Sequence, residues 1–188
     1  QNKETLRIID MNKMRDKAPK KGPPPHPPAP LQAPDHVISK QERVVKSLLF
    51  ADIVGFSKLS EHHVPGFIAF MQDVADSLTL NSDKPLFLNT WGDAIFAILD
   101  DATSMATYAL ALKQALLDAG QKDFGLPTQL SLRIGLHVGP VYAGTDPITE
   151  RLNFYGSHVN RAARIEPVTI PGRVYASEQL VSLLAAEE

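Results

Sequence analysis

The segment that decides the fold is residues 44–57, which reads VVKSLLFADIVGFS. Its first ten residues are largely apolar and rich in branched side chains, a pattern typical of a buried β-strand. This strand ends in an acid, Asp52. A carboxylate among apolar residues is rare unless it pairs with a cation or binds a metal. Asp52 is therefore the first candidate for a chemical role, and the alternative is an acid that caps a turn.

The rest of the chain alternates between strand and helix patterns. The predicted strands are residues 86–88, 94–99, 130–138 and 173–176, and the predicted helices are 59–80, 102–119, 156–165 and 178–186. Gly139-Pro140 and residues 144–147 have turn chemistry. The order βαββαβ predicts an α+β, ferredoxin-like fold whose mixed, mainly antiparallel sheet carries its helices on one face.

Composition excludes several classes of protein. The chain has 188 residues, of which 44% are hydrophobic and 21% charged, as in a globular domain. The absence of cysteine excludes a disulfide scaffold, a thiolate metal site and a cysteine nucleophile. The net charge of −2 argues against a nucleic-acid partner. No apolar run in the sequence approaches the length of a membrane helix.

The N-terminal segment differs in composition from the rest. Residues 1–21 carry seven basic and three acidic side chains, a net charge of +4, and residues 19–34 hold eight of the fifteen prolines. Residues 1–36 are therefore predicted to be a basic, proline-rich linker or tail, and 37–188 a separate folded domain. A docking site for an SH3-type partner is the alternative use of the prolines. Because the chain begins with Gln1, we expect a longer protein with an upstream regulatory or membrane domain.

A second acid strengthens the interpretation of Asp52. Asp93 follows Gly92 at the predicted hairpin turn, and it would converge with Asp52 if the two strands are neighbours. Two carboxylates so placed can hold Mg²⁺, and the backbone N–H groups of Gly55 and Phe56 could meet phosphate. Taken alone, Asp93 could be an ordinary turn aspartate. The sequence contains no P-loop, dinucleotide-binding or nucleophile-elbow motif.

The histidines give no metal-ligand spacing. His137 lies in a predicted strand, where a packed or hydrogen-bonded histidine is expected rather than a ligand.

Four segments together resemble one family, the class III nucleotidyl cyclases, which include most adenylyl and guanylyl cyclases. These segments are residues 49–57 (LFADIVGFS), 89–93 (NTWGD), 132–139 (LRIGLHVG) and 154–164 (FYGSHVNRAAR). The resemblance extends over about residues 42–185.

The resemblance implies a metal site. Asp52 and Asp93, with the carbonyl of Ile53, would bind two Mg²⁺ or Mn²⁺ ions. One ion would lower the pKa of the ribose 3′-hydroxyl, and the other would hold the β- and γ-phosphates. The residues implied to bind the triphosphate are Gly55, Phe56, Ser57 and Arg133.

The resemblance also implies two catalytic residues on a helix. Asn160 would orient the ribose, and Arg164 would stabilise charge that builds on the α-phosphoryl group. They are four residues apart and so share one helix face. In the family the metal acids come from one protomer and these two residues from the other, so a homodimer is expected.

The expected reaction converts a nucleoside triphosphate to its 3′,5′-cyclic monophosphate and pyrophosphate in signal transduction. Asn89 and Asn153 stand where family members select the base, and ATP is expected first because it is the commonest family substrate. GTP or a pyrimidine triphosphate remains an alternative, since an amide both donates and accepts hydrogen bonds. The expected location is the cytoplasm, or the cytoplasmic side of a membrane-anchored protein.

Three other functions remain open at this point. They are a non-catalytic nucleotide-binding homologue, a diguanylate cyclase, for which the Gly-Gly-acidic hairpin is missing, and a scaffolding module that acts through its prolines. Family members usually continue beyond the point that corresponds to Glu188, through a hairpin with a triphosphate-binding lysine. The domain is therefore expected to be shortened at its C terminus.

Overall fold

The computed structural model describes residues 42–82, 84–127 and 130–187, so the predicted linker 1–36 lies outside the described residues. The described elements are β1 (Glu42–Val54), α1 (Val64–Asn81), β2 (Phe87–Trp91), β3 (Ala94–Leu99), α2 (Ala102–Ala119), β4 (Ser131–Thr145), β5 (Leu152–Tyr155), α3 (Ser157–Ile165), β6 (Val174–Ala176) and α4 (Glu178–Glu187). Within these residues no helix combines the length and apolar character that crossing a membrane requires.

The six strands form one mixed, mainly antiparallel sheet in the order β2-β3-β1-β4-β5. Strand β6 pairs in parallel with β4 through residues 134–136, and β5 pairs antiparallel with β4 through residues 142–145. The first four strands, with α1 and α2, have the connectivity and spatial order of a ferredoxin-like βαββαβ unit. The predicted fold class is confirmed.

The alternation of side chains along β1 separates the two faces of the sheet. Leu49, Ala51 and Ile53 point into the larger core, which α1, α2 and α4 cover. Leu48 and Phe50 point to the other face and pack in a smaller core. Asp52 follows in the same alternation, so it belongs to this second face.

Helix α3 lies on the second face, against β4. Its Ala162 and Val159 pack in the smaller core. The expectation that the helices share one face therefore holds for three of them, while α3 lies on the opposite side. Local patterns contain little sign of this position, because α3 is short and mostly polar.

Two glycines of β4 allow α3 to approach closely. A Cβ on Gly139 would lie 2.1 Å from Nδ1 of His158, and one on Gly135 would lie 2.6 Å from the backbone nitrogen of Glu166. Eight residues of helix and four of strand both advance by roughly 12–13 Å. The helix therefore runs antiparallel to the strand between these two contacts, which sets the position of every side chain it carries.

The predicted turn at Gly139-Pro140 is wrong, because β4 continues through it to Thr145. On its outer edge β4 pairs with β6 and β5, and Pro140 lies in the gap between these two partners. A proline is tolerated where no strand needs its missing N–H group.

Candidate active site

The site is built where β1 ends between β3 and β4. Asp52 is paired with Ala94 on one side and with Arg133 on the other. Oδ2 of Asp52 accepts a hydrogen bond of 2.6 Å from Nη2 of Arg133. Both side chains are about one-quarter exposed, at 25% and 28%. The acid predicted from the apolar strand is thus paired with a cation and still reached by solvent.

Asp93 is brought to the same place by the β2–β3 hairpin. The two-residue turn is made by Gly92 and Asp93, and Gly92 adopts a left-handed φ of 64°. The carbonyl of Asp93 accepts a hydrogen bond of 3.1 Å from the backbone N–H of Ile53. This bond joins the hairpin turn to the residue that follows Asp52, as the sequence predicted for neighbouring strands.

Glu166 joins the charged side chains at this site, although no sequence motif points to it. It follows α3 directly, and its Oε1 lies 2.9 Å from Nε of Arg133. These two buried atoms face each other as an ion pair, but neither makes a hydrogen bond within the described part of the chain. Arg133 is therefore flanked by Asp52 and Glu166. No local signal marks Glu166, because its role depends on the return of α3 to β4.

The cluster shows its mutual electrostatics in two pKa shifts. The hydrogen bond to Asp52 and the charges of the three acids raise the pKa of Arg133, against the opposing effect of burial. Burial raises the pKa of Glu166; Arg133 opposes this, and the charges of Asp52 and Asp93 add to it. Asp93 thus acts electrostatically on both residues, so the three acids and one arginine share one local field.

The donor set at this position fits divalent cations. Mg²⁺ prefers oxygen ligands and is commonly held by one or two carboxylates together with substrate phosphates. Asp52 and Asp93 would supply two carboxylates, one from the end of β1 and one from the β2–β3 turn, and the Ile53 carbonyl would supply a third oxygen. Among the described residues no group of three or more histidine, aspartate or glutamate side chains forms a metal cluster. Phosphate and water would therefore supply the remaining ligands.

The predicted phosphate-binding loop follows β1 at once. Gly55 has a left-handed φ of 103° and leads into a short 3₁₀ turn, Phe56–Lys58. The ring of Phe56 packs on Phe67 with centroids 4.6 Å apart, so that side chain belongs to the core. Only the backbone of Phe56 is left for a ligand, whereas Ser57 is exposed. The triphosphate role of this loop remains a prediction.

The two predicted catalytic residues lie together but point away from their own chain. Asn160 and Arg164 are both exposed on α3, four residues apart. Within the described ranges, neither side chain hydrogen-bonds or pairs with the acids around Arg133. The helix is held to the sheet by its other residues, so this polar face is available to an outside group.

The two predicted base-contacting residues line one cavity of about 480 Å³. Asn89 on β2 and Asn153 on β5 border it, with Phe87, Phe96 and Arg151 among the other lining residues. Two phenylalanine rings beside several polar groups suit a flat heterocycle that carries hydrogen-bonding atoms. The structure therefore brings together two asparagines that lie 64 positions apart.

Asn153 is not free to turn. Its Oδ1 accepts the backbone N–H of Phe154 at 2.8 Å, and its Nδ2 donates to Oδ2 of Asp146 at 3.3 Å. The Asp146 carboxylate also accepts the backbone N–H groups of Ile148 and Thr149, each at 2.9 Å. The Thr149 bond, the Tyr155 hydroxyl that donates to Oδ2 at 2.8 Å, and the other donors hold the pKa of Asp146 well below its usual range. The freedom of an amide to present either its donor or its acceptor to a base therefore remains at Asn89 alone.

Comparison with known proteins agrees with this geometry. Residues 38–188 match the family described as the adenylate and guanylate cyclase catalytic domain. This match covers most of the chain, and the chain therefore belongs to that family, the class III cyclases, whose catalytic domains are lyases.

Two curated relatives represent the two substrate branches. Guanylate cyclase 2G of Mus musculus is 30% identical over 155 residues, which cover 74% of this chain and 14% of the mouse protein. An adenylate cyclase of Anabaena cylindrica is 33% identical over 140 residues, which cover 65% of this chain and 27% of that protein. The chain thus spans about a quarter or less of the length of these relatives.

Solved structures share the fold. The adenylyl cyclase CyaB from P. aeruginosa superposes with a TM-score of 0.67 at 18% identity, covering 78% of this chain and 83% of that one. A guanylyl cyclase domain of the RhoGC fusion protein from Blastocladiella emersonii, described as a non-canonical dimer, gives 0.63 at 20% identity, covering 77% of this chain and 86% of that one. Dimeric cyclase structures of this fold therefore exist.

Proposed function

We propose that this domain converts a nucleoside triphosphate, ATP first, to the 3′,5′-cyclic monophosphate and pyrophosphate. The ribose 3′-oxygen forms a bond to the α-phosphorus, and the bond from that phosphorus to the bridging oxygen of the β-phosphate breaks. The 3′-hydroxyl proton leaves to solvent. The observation that carries the proposal is the Asp52–Arg133 pair beside the turn that bears Asp93.

The acids and Arg133 would exchange partners when substrate binds. Asp52, Asp93 and the Ile53 carbonyl would hold two divalent ions, while Arg133 would turn from Asp52 toward the triphosphate. When bound, such ions lower the pKa of a coordinated hydroxyl and neutralise phosphate charge. The chain contributes positioning and charge neutralisation, the main requirements of phosphoryl transfer.

The loop after β1 would complete the triphosphate site. Gly55 permits close approach of the backbone, and the N–H groups of Phe56 and Ser57 would donate to phosphate oxygens. The Phe56 ring, held in the core by Phe67, would keep this loop in place.

The proposed active form is a homodimer with its sites at the interface. Asn160 would orient the ribose, and Arg164 would stabilise the charge on the α-phosphoryl group, both in the partner's site. Support comes from their exposure on one face of α3 without a partner from the described ranges of their own chain. A guanidinium meets phosphate well because its donors form a planar fork.

The base is proposed to bind in the cavity between β2 and β5. A free amide such as Asn89 can donate and accept at once, as adenine requires, and asparagine makes bidentate contacts to adenine elsewhere. Asn153, fixed by Asp146, keeps one N–H for the ligand. GTP, CTP and UTP are the competing substrates, because a single N–H also suits a base carbonyl.

The proposed setting is signal transduction in the cytoplasm, with this domain alone or as the cytoplasmic part of a membrane-anchored protein. Its substrates are the nucleotides of that compartment.

The test is incubation of the chain with each of the four nucleoside triphosphates and Mn²⁺ or Mg²⁺, with mass detection of products. We expect a 3′,5′-cyclic monophosphate from a natural nucleoside triphosphate and no such product from its 3′-deoxy analogue. Hydrolysis to a diphosphate, or binding without turnover, would instead favour a non-catalytic homologue or another phosphotransferase.

A further inference from the structure

Three side chains are joined by hydrogen bonds in a row beneath the proposed catalytic helix, α3. His137 on β4 is 1% exposed, and its Nδ1 lies 2.8 Å from Oγ of Ser177. Its Nε2 lies 2.8 Å from Nδ1 of His158, the second residue of α3. This row of side chains thus links the start of α4, the centre of β4 and the first turn of α3.

The geometry is that of two imidazoles placed end to end. The rings are nearly parallel, at 8°, and their centroids are 5.1 Å apart. The short N···N contact therefore joins the two facing ring edges. The His158 ring also lies directly on Gly139, where any Cβ would collide with it. The position of this ring is fixed from the strand side by both contacts.

Two neutral arrangements of protons satisfy these contacts. In the first, Ser177 donates its hydroxyl proton to Nδ1 of His137, its Oγ accepts the N–H of Leu180 at 3.4 Å, and Nε2 of His137 donates to Nδ1 of His158. In the second, Nδ1 of His158 donates to Nε2 of His137, whose Nδ1 donates to Oγ of Ser177. The N···N hydrogen bond requires at least one neutral imidazole, since two protonated rings would place two N–H groups against each other.

The surroundings favour the neutral pair. Burial lowers the pKa of His137 from 6.5, and the charges of His158 and Arg161 lower it further. Burial also lowers the pKa of His158, together with Arg161 on its own helix and Arg43 on β1. No acid is among the groups that shift either histidine. A proton added here would join two arginines without a counter-charge.

We propose that His158 is a positioning residue for the cyclase reaction, which anchors the first turn of α3 to β4 through neutral His137 and so sets Asn160 and Arg164. This inference rests on the proposed function, because it assigns those two residues to the transition state. Asn160 lies only two positions after His158, so a shift of the first turn of α3 moves Asn160 directly.

The pairing predicts a loss of turnover in acid. Because both pKa values lie below 6.5 in the folded chain, the neutral pair is intact at neutral pH. Its contribution is complete above about 6.5 and is lost once the pH has fallen through the lowered pKa values of both rings. Loosening α3 should lower kcat more than it raises KM, since the proposed triphosphate and metal groups lie on β1, the loop after it, the β2–β3 turn and β4.

The test compares His158→Leu, which removes the nitrogen, with His158→Gln, which keeps an acceptor but does not titrate. His62→Gln, at an exposed histidine, is the control. We expect His158→Leu to lose roughly tenfold or more in kcat, with KM changed by less than about twofold. His158→Gln should keep most activity at neutral pH and lose the acid limb of the profile.

A second readout needs no turnover. Amide hydrogen exchange in the full chain should accelerate by about tenfold across α3 in His158→Leu, while α2 stays unchanged. Unchanged exchange in α3, equal loss across the whole domain, or an acid limb that persists in His158→Gln would each overturn the proposal. If the native chain makes no cyclic product, the proposed function fails, and the exchange data still decide whether His158 anchors α3.

Discussion

Nη2 of Arg133 lies 2.6 Å from Oδ2 of Asp52, so the arginine and the acid predicted to serve different parts of a nucleotide hold each other. Each satisfies the other's charge in a partly buried position, where a lone charge would be costly. Ligands of opposite sign, a divalent cation for Asp52 and a triphosphate for Arg133, could replace this contact without leaving either charge unpaired.

Removing the positive charge of Arg133 should expose the repulsion between Asp52 and Glu166 that this charge now offsets. In Arg133→Met, Asp52 and Glu166 lose their shared partner, and the pKa of Glu166, already raised by burial, should rise further. A carboxyl whose pKa is higher in the folded state stabilises the fold at low pH and loses that contribution as the pH rises. Urea unfolding should therefore show a variant that gains stability as the pH is lowered from 7 to 5.

Glu166→Gln in the same background is the control. It should reduce the dependence of the free energy of unfolding on pH, because the neutral amide does not titrate. A pH dependence in Arg133→Met identical to that of the native chain would mean that these groups are not coupled.

A shared active site predicts complementation between two inactive chains. Asp93→Ala removes a metal acid, and Arg164→Ala removes the guanidinium on α3. A heterodimer of the two retains one complete site, so co-folding should restore up to about a quarter of native activity if dimers form at random. The measurement is cyclic-nucleotide production by the mixture and by each mutant alone. Persistent inactivity of the mixture, with an active native protein, would place the whole site in one chain.

Base preference should depend on Asp146 as well as on the two asparagines. Asn89→Lys with Asn153→Asp supplies a fixed donor and acceptor, which should favour ATP by on the order of 1–3 kcal/mol if each hydrogen bond is made. The new carboxylate at 153 would face Asp146, because Nδ2 of Asn153 is now 3.3 Å from that acid. Adding Asp146→Asn should restore the hydrogen bond between positions 146 and 153, with the new amide at 146 as donor and the new carboxylate at 153 as acceptor.

The measurement is kcat/KM for ATP against GTP, CTP and UTP in both variants. A gain for ATP that appears fully only with Asp146→Asn is expected. If the ratios stay as in the native protein, neither asparagine contacts the base.

The close contact of α3 with β4 predicts different costs at its two glycines. Gly135→Ala would push a Cβ against the backbone of Glu166, which cannot turn aside, whereas Gly139→Ala meets the His158 ring, which can turn aside only by giving up its contact with His137. Overpacking of this kind typically costs about 1–3 kcal/mol, and we expect Gly135→Ala to be the worse of the two. In thermal unfolding, Gly139→Ala combined with His158→Ala should cost less than the sum of the single changes. Strict additivity would show that the ring does not fill this space.

Local patterns predicted the parts of the fold that local chemistry controls. The apolar run into Asp52, the Gly92-Asp93 turn and the alanine-rich α2 each have a strong short-range signal, and all were confirmed. The convergence of Asp52 with Asp93 followed from the neighbouring strands.

The remaining features depend on contacts distant in sequence. Strand β5 has only four residues, and Pro140 has turn chemistry although it lies in an extended strand. Glu166 and Asp146 resemble surface acids until α3 and β5 place them beside Arg133 and Asn153. Neither pattern nor spacing carries that information.

The proposed cyclisation of a nucleoside triphosphate depends on a divalent ion held by Asp52. Its most direct test is mass detection of the 3′,5′-cyclic product from native chain and Asp52→Asn with ATP and Mn²⁺, alongside Mn²⁺ binding by calorimetry. Asp100→Asn, at an exposed acid paired with Lys46, is the matched control. We predict a product from the native chain and the control, and loss of both product and Mn²⁺ binding in Asp52→Asn with the fold intact. Unchanged turnover in Asp52→Asn would contradict the account.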